Sequence, residues 1–121
     1  MPRILVIDDD ASIRTLLRFV LEEEGYDVVE AANGAEGLQQ YEAAPAALVI
    51  TDLQMPVMDG LELLRALQRV VSTPALIAIS GDQDTLTYAR RFTPYTFAKP
   101  LPLRQVLATV HTLVATRPQS P

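Results

Sequence analysis

Five short apolar runs, each giving way to polar or charged residues, punctuate this chain, and stretches of helical periodicity lie between them. The first, Arg3 to Ile7 (RILVI), is β-branched at three of five positions and runs into Asp8, Asp9 and Asp10. It shows none of the alternation of a half-buried strand, so it reads as a strand covered on both faces. Ala47 to Thr51 (ALVIT) ends at Asp52, Ala75 to Ile79 (ALIAI) at Ser80 and Gly81, and the short Tyr95 to Ala98 at Lys99 and Pro100. Asp27 to Ala31 is a weaker strand of the same set.

The intervals carry helical spacing. From Ala11 to Glu24 the apolar residues Ile13, Leu16, Leu17, Val20 and Leu21 follow an i, i+3, i+4, i+7, i+8 stripe, with Asp10 placed to cap the helix and Gly25 past its end. Asn33 and Gly34 turn the chain into a short helix from Ala35 to Glu42, ended before Pro45. A third helix, Leu61 to about Val71, buries Leu63, Leu64, Leu67 and Val71; Asp59 and Gly60 form the turn before it and Met55 and Met58 pack its loop. Asp82 to Phe92 is a weaker helix, since Thr85 and Thr87 oppose it. Leu103 to Ala115 buries Leu103, Val106, Leu107, Val110 and Val114, leaving His111 at the surface.

Five strands alternating with five helices dictate an α/β fold: a five-stranded parallel sheet flanked by five helices, doubly wound, because right-handed crossovers lay helices on both faces. In such sheets the site lies beyond the carboxyl ends of the strands. Asp8, Asp9, Asp52, Ser80 and Lys99 each stand at such an end, so residues spread along the chain should converge on one crevice.

Composition narrows what the crevice can do. A chain of 121 residues is one domain, and its net charge of −5 gives no basic stripe for nucleic acid. Without cysteine and with a single histidine, thiolate chemistry, His-rich zinc sites and a Ser-His-Asp triad are all disfavoured. No run is long enough to span a bilayer and the first residues are no signal peptide, which suits a cytoplasmic protein. Carboxylates crowded together either take up a proton or bind a cation, and oxygen-only donors favour a hard ion such as Mg²⁺. A lysine is suited to phosphate, a serine can donate to a phosphate oxygen, and a carboxylate can itself be the nucleophile. Placement and composition therefore point to Mg²⁺-assisted phosphoryl transfer onto an aspartate.

The segments ILVIDDD, LVITDLQMPVMDG, ISGD and FAKP, in that order and at that spacing, resemble the receiver domain of bacterial response regulators over Arg3 to Ala115. The resemblance implies a flavodoxin-like strand order of 2-1-3-4-5. It makes residues 1–115 the receiver domain and leaves 116–121 as a disordered tail. It implies that Asp52 accepts a phosphoryl group from a sensor histidine kinase or a histidine phosphotransfer protein, in a self-catalysed and Mg²⁺-dependent transfer. Asp9 and Asp52 would bind Mg²⁺ directly, Asp8 largely through water, and the backbone carbonyl of Gln54 would complete the set. Ser80 would turn to the phosphoryl oxygen, Lys99 would pair with it, and Pro100 would follow a cis peptide. Gln54 and Asp82 occupy positions that tune hydrolysis of the acyl phosphate. The family's switch aromatic falls at Thr96 here, with Tyr95 one place early, so the coupled serine and aromatic rotation should be missing or altered. Tyr95 then reads as a packing residue more readily than as a displaced switch.

The outcome expected is a change of binding partner, not enzyme turnover, by a single-domain regulator or a phosphorelay component. The downstream target is unknown, and neither nucleic acid nor membrane is expected as a direct partner. The resemblance also allows a homodimer through helix 4, strand 5 and helix 5. Met1 directly ahead of the first strand points to a natural N-terminus, although an excised module of a larger regulator or hybrid kinase is an alternative. An alternative of another class is a small phosphohydrolase of the haloacid dehalogenase type. Asp8-x-Asp10-x-Ser12 imitates its nucleophile motif and Gly81-Asp82-x-Asp84 its metal motif, but Lys99 follows the second motif where it should precede it.

Overall fold

A computed structural model of the protein describes residues 2–54, 58, 60–70 and 73–116. In chain order the elements are β1 (Arg3–Ile7), α1 (Ala11–Glu23), β2 (Asp27–Ala31), α2 (Gly34–Ala43), β3 (Leu48–Asp52), α3 (Gly60–Gln68), β4 (Ala75–Ser80), α4 (Gln83–Ala89), β5 (Thr96–Ala98) and α5 (Leu103–Thr116). The five strands form one sheet in the order β2-β1-β3-β4-β5 with every pairing parallel, the doubly wound arrangement expected. No helix among the described residues is long and apolar enough to cross a membrane.

Successive strand residues point to opposite faces, so each apolar run serves two cores. Ile4 and Val6, with Leu48, Ile50, Ile77 and Ile79, pack under α1 and α5 against Leu17, Leu21, Val106 and Val110. Leu5, Ile7 and Val49 pack on the other face against Tyr41, Leu63, Leu64, Leu67 and Leu86 of α2, α3 and α4. Burial on both sides is the reason the three central strands, β1, β3 and β4, are written as nearly unbroken apolar runs.

Several boundaries and helix faces differ from expectation for identifiable reasons. On α1, Leu17 and Leu21 face the sheet and are fully buried, whereas Leu16 lies about 100° around the helix and is 42% exposed. It sits three residues before Phe19, which is 63% exposed, so the two put an apolar strip on the outer face of α1. On α5 the buried line is Val106, Val110 and Leu113, while Leu103, Leu107 and Val114 flank it half-buried; the stripe is rotated from the one expected. Asn33 proves to be the N-cap of α2, its side chain accepting from the Glu36 N–H, so Gly34 is already helical. The fourth helix is shorter than Asp82 to Phe92. Asp82 is its cap, and past Ala89 the Thr93 hydroxyl is drawn down to the Leu76 carbonyl of β4 at 2.7 Å. Asp10 caps α1 through the Ser12 N–H, and Gly25 adopts φ +90° beyond it, both as expected. Met55, Asp59, Val71 and the tail from residue 117 lie outside the described residues.

Candidate functional site

Strand register assembles the site. Ile7 stands opposite Thr51, so the next residues, Asp8 and Asp52, emerge side by side from β1 and β3. Asp52 is opposite Ile79, and Ser80 opposite Ala98, which brings Ser80 and Lys99 to the same edge. All five residues singled out at strand ends therefore meet at one rim, where the sheet's covering helices begin.

Carboxylate oxygens of Asp8, Asp9 and Asp52 lie within 4.8 Å of one another, Asp8 and Asp52 buried and Asp9 exposed. Asp8 accepts the Asp10 N–H at 2.8 Å through Oδ1, and its Oδ2 lies 3.7 Å from Lys99 Nζ. Asp52 Oδ1 accepts the Gln54 N–H at 3.0 Å, and Oδ2 accepts from Lys99 Nζ at 2.9 Å. Desolvation pushes the Asp8 carboxyl up from 3.8 to about 6; the neighbouring Asp52 and Asp9 charges add to this, against the Asp10 N–H and Lys99. Burial works to lower the Lys99 ammonium, but the Asp52 carboxylate outweighs it, with help from Asp8 and Asp9, and holds the lysine above its ordinary value. The Lys99–Pro100 peptide is cis, as expected.

This donor set suits a hard divalent cation. Three oxygen-bearing side chains converge, sulfur and imidazole are absent from the cluster, and the raised Asp8 carboxyl is a strain that a cation would relieve.

Ser80 is fully buried, and its Oγ donates to Gln54 Oε1 at 3.2 Å while accepting the Asp82 N–H at 3.0 Å. The Gln54 side chain thus reaches across from the end of β3 to the end of β4, a link that residue spacing did not suggest. Asp82 Oδ2 accepts from both the N–H and the hydroxyl of Thr85, and these bonds hold its carboxyl below the usual range. Thr96 is half-buried, with Arg90 Nε at 3.4 Å from its hydroxyl. Tyr95, expected to pack, is instead 38% exposed.

Two residues that the sequence reading passed over also belong to the site. Arg14 on α1 donates from Nη1 to the Asp8 carbonyl at 2.5 Å and from Nε to Glu30 Oε1 on β2 at 3.2 Å. The one available signal was an arginine near the apolar stripe of α1 and a glutamate within a mostly apolar strand.

The phosphohydrolase alternative finds no support. Asp10 and Asp82, which its two motifs require for chemistry, serve as the caps of α1 and α4.

Comparison with known proteins agrees with the geometry. The pattern of the response regulator receiver domain family matches residues 4–111. Sporulation initiation phosphotransferase F of Bacillus subtilis is 32% identical over 107 residues, covering 86% of each chain. The transcriptional regulatory protein ResD of the same organism is 36% identical over 115 residues, 93% of this chain. This chain spans 48% of ResD and 35% of the B. subtilis alkaline phosphatase synthesis regulator PhoP. Among solved structures, the response regulator TrrA of Thermotoga maritima, crystallised with Mg²⁺ and BeF, superposes with a TM-score of 0.86 at 30% identity, covering 93% of this chain and 99% of TrrA. A receiver domain from Clostridium thermocellum gives 0.86 at 28% identity, covering 95% of each. The fold and its acidic rim define a phosphoacceptor signalling module, and the chain belongs to the response regulator receiver domain family.

Proposed function

We propose that Asp52 is the phosphoacceptor. A carboxylate oxygen of Asp52 attacks the phosphorus of a phosphohistidine on a sensor kinase or phosphotransfer protein. The new O–P bond forms as the N–P bond breaks, and the imidazole leaves with the electron pair. Asp8, Asp9 and Asp52, with the backbone carbonyl of Gln54, would hold Mg²⁺, which supplies charge neutralisation for the transferring group. Lys99 keeps its ammonium and follows the phosphoryl oxygen, donating to it in place of Asp52 Oδ2. Ser80 gives up Gln54 Oε1 and turns its hydroxyl toward the same group. Asp82, tied to Thr85, leaves hydrolysis of the acyl phosphate to be tuned by Gln54. Switching then proceeds from Ser80 toward α4, β5 and α5 without an aromatic at Thr96, and a second copy of the chain could pair on that face.

The observation that carries this reading is the buried Asp52 at the end of β3, bonded to Lys99 within a cluster of three carboxylates. Intact mass after incubation with acetyl phosphate tests it, with and without Mg²⁺, on the native chain and on Asp52→Ala. A labile phosphoryl adduct that requires both Mg²⁺ and Asp52 is expected. An adduct on folded Asp52→Ala refutes it, and none on the folded native chain with Mg²⁺ present refutes self-catalysed transfer from this donor.

A further inference from the structure

We infer that Arg14 is a positioning residue for the acidic cluster: its guanidinium fixes the peptide that joins Asp8 to Asp9, and Glu30 fixes the guanidinium. The inference rests on reading that cluster as a divalent-cation site. Asp8 is held at every polar atom. Its N–H donates to the Ala31 carbonyl at 3.1 Å, its carboxylate takes the Asp10 N–H and faces Lys99, and its carbonyl accepts from Arg14 Nη1 at 2.5 Å. Asp9 is different. Its carboxylate is exposed and makes no hydrogen bond or ion pair among the described residues, so it is the backbone that sets where the side chain is rooted and how far it reaches toward the cluster. The Asp8 carbonyl belongs to the peptide unit that orients Asp9. Whatever holds that carbonyl fixes the root from which the exposed ligand reaches the cluster.

The holder is itself built in. Arg14 Nε meets Glu30 Oε1 at 3.2 Å, and the other carboxylate oxygen of Glu30 takes Arg18 Nη1 at 2.8 Å. The Glu30 carbonyl receives the Gln40 amide of α2 at 2.8 Å, so the chain of bonds runs from α2 through β2 and α1 to the cluster. Arg14 and Glu30 are 18% and 26% exposed, which shields the pair from solvent competition better than the outer Arg18–Glu22 contact, at 44% and 49%. A planar guanidinium can serve the carbonyl and the carboxylate at once in fixed geometry, which a lysine cannot. Residues that orient metal ligands typically matter by 10–100-fold in affinity.

Isothermal titration of the metal-free chain with Mg²⁺ alone, paired with thermal melts in chelator, tests this on the native chain, Arg14→Lys, Arg14→Met and Leu113→Ala. Arg14→Lys retains the charge, so any loss there is geometric. Both Arg14 variants should bind Mg²⁺ about tenfold more weakly than the native chain. Leu113→Ala, a packing change under α5, should lower the melting temperature and leave the affinity unchanged. A folded Arg14→Lys that binds Mg²⁺ within about twofold of the native chain overturns the inference, as does an equal loss of affinity in Leu113→Ala. Should Arg14→Met fail to fold, the lysine variant decides alone. A native chain that binds no Mg²⁺ overturns the cation-site reading itself, and this inference with it.

Discussion

Replacing Asp8 by asparagine should stabilise the metal-free protein at neutral pH while removing part of its site. Asp8 is 2% exposed, and desolvation is the main reason its carboxyl is raised from 3.8 to about 6. A folded-state value above the unfolded one means the native state holds the proton more tightly. The stability from this group is then fully present below about pH 4 and lost as the pH rises through 6. At about 1.4 kcal/mol per tenfold change in proton affinity, the loss by pH 7 is roughly 3 kcal/mol. Asparagine keeps an oxygen for the Asp10 N–H, now bonded at 2.8 Å, but forgoes the attraction of Lys99 at 3.7 Å. A net gain of about 1–3 kcal/mol remains, or roughly 4–10 °C in melting temperature for a chain of this size. Thermal melts in EDTA at pH 7 and pH 5 measure it. The native chain should gain about 1 kcal/mol between pH 7 and pH 5, and Asp8→Asn should stay level. Glu30 does not interfere, because Arg18 and Arg14 hold its carboxyl below 4.5 and its titration falls outside this window. An asparagine variant that melts at or below the native chain at pH 7, or shares its pH dependence, would refute the reasoning.

Further outcomes follow from packing and from the ion pairs. Leu21→Ala should cost about 2–5 kcal/mol in chemical denaturation and Leu16→Ala under about 0.5, because only the former faces the sheet. Gly60→Ala should destabilise more than Gly37→Ala: its added carbon would come 2.4 Å from the Leu53 Cα, which is backbone, whereas at Gly37 the contact at 2.4 Å is the mobile end of Ile7. Overpacking of this kind costs about 1–3 kcal/mol, and comparison of the two unfolding midpoints checks the ranking. Glu30, held low chiefly by its bond to Arg18, contributes stability above pH 4.5 that is lost as the pH falls through its lowered value. Acid titration followed by circular dichroism should show Glu30→Gln losing less stability than the native chain below pH 4.5.

The strands and the site they carry were legible because burial on both faces leaves a mark that few other arrangements leave. Arg3 to Ile7 and Ala75 to Ile79 could hardly be anything but central strands, and the polar residue that closes each had to lie at the sheet's edge. Helix rotation was not legible to the same degree. A stripe at i, i+3 and i+4 fixes a face to within about one residue's 100° step, and that step separates buried Leu17 from exposed Leu16 and brings Leu113 inward. Arg14 and Glu30 escaped for another reason. Their contact spans 16 residues and depends on β2 standing beside β1 so that Glu30 falls opposite Val6, a register that no local pattern encodes. The bond between Ser80 and Gln54 is of the same kind, joining two strand ends 26 residues apart.

On the phosphoacceptor reading, the hydrogen bonds already present decide which oxygen of Asp52 reacts. Oδ1 is held by the Gln54 N–H, a backbone donor whose direction the start of the loop fixes. Oδ2 is held by Lys99, whose ammonium ends a flexible stem and has three donors free to reorient. Bond formation at Oδ1 would orphan a fixed donor, whereas bond formation at Oδ2 lets the lysine pass from the carboxylate to the incoming phosphoryl oxygen without losing a partner. The charge count agrees. Three carboxylates and one ammonium carry a formal −2, which a divalent cation cancels, so Lys99 is then no longer needed to restrain Asp52 and its charge becomes available to the group being transferred. On that reading the lysine would serve as resting-state counter-ion and then as phosphoryl ligand, and its raised affinity for the proton would keep it charged for both.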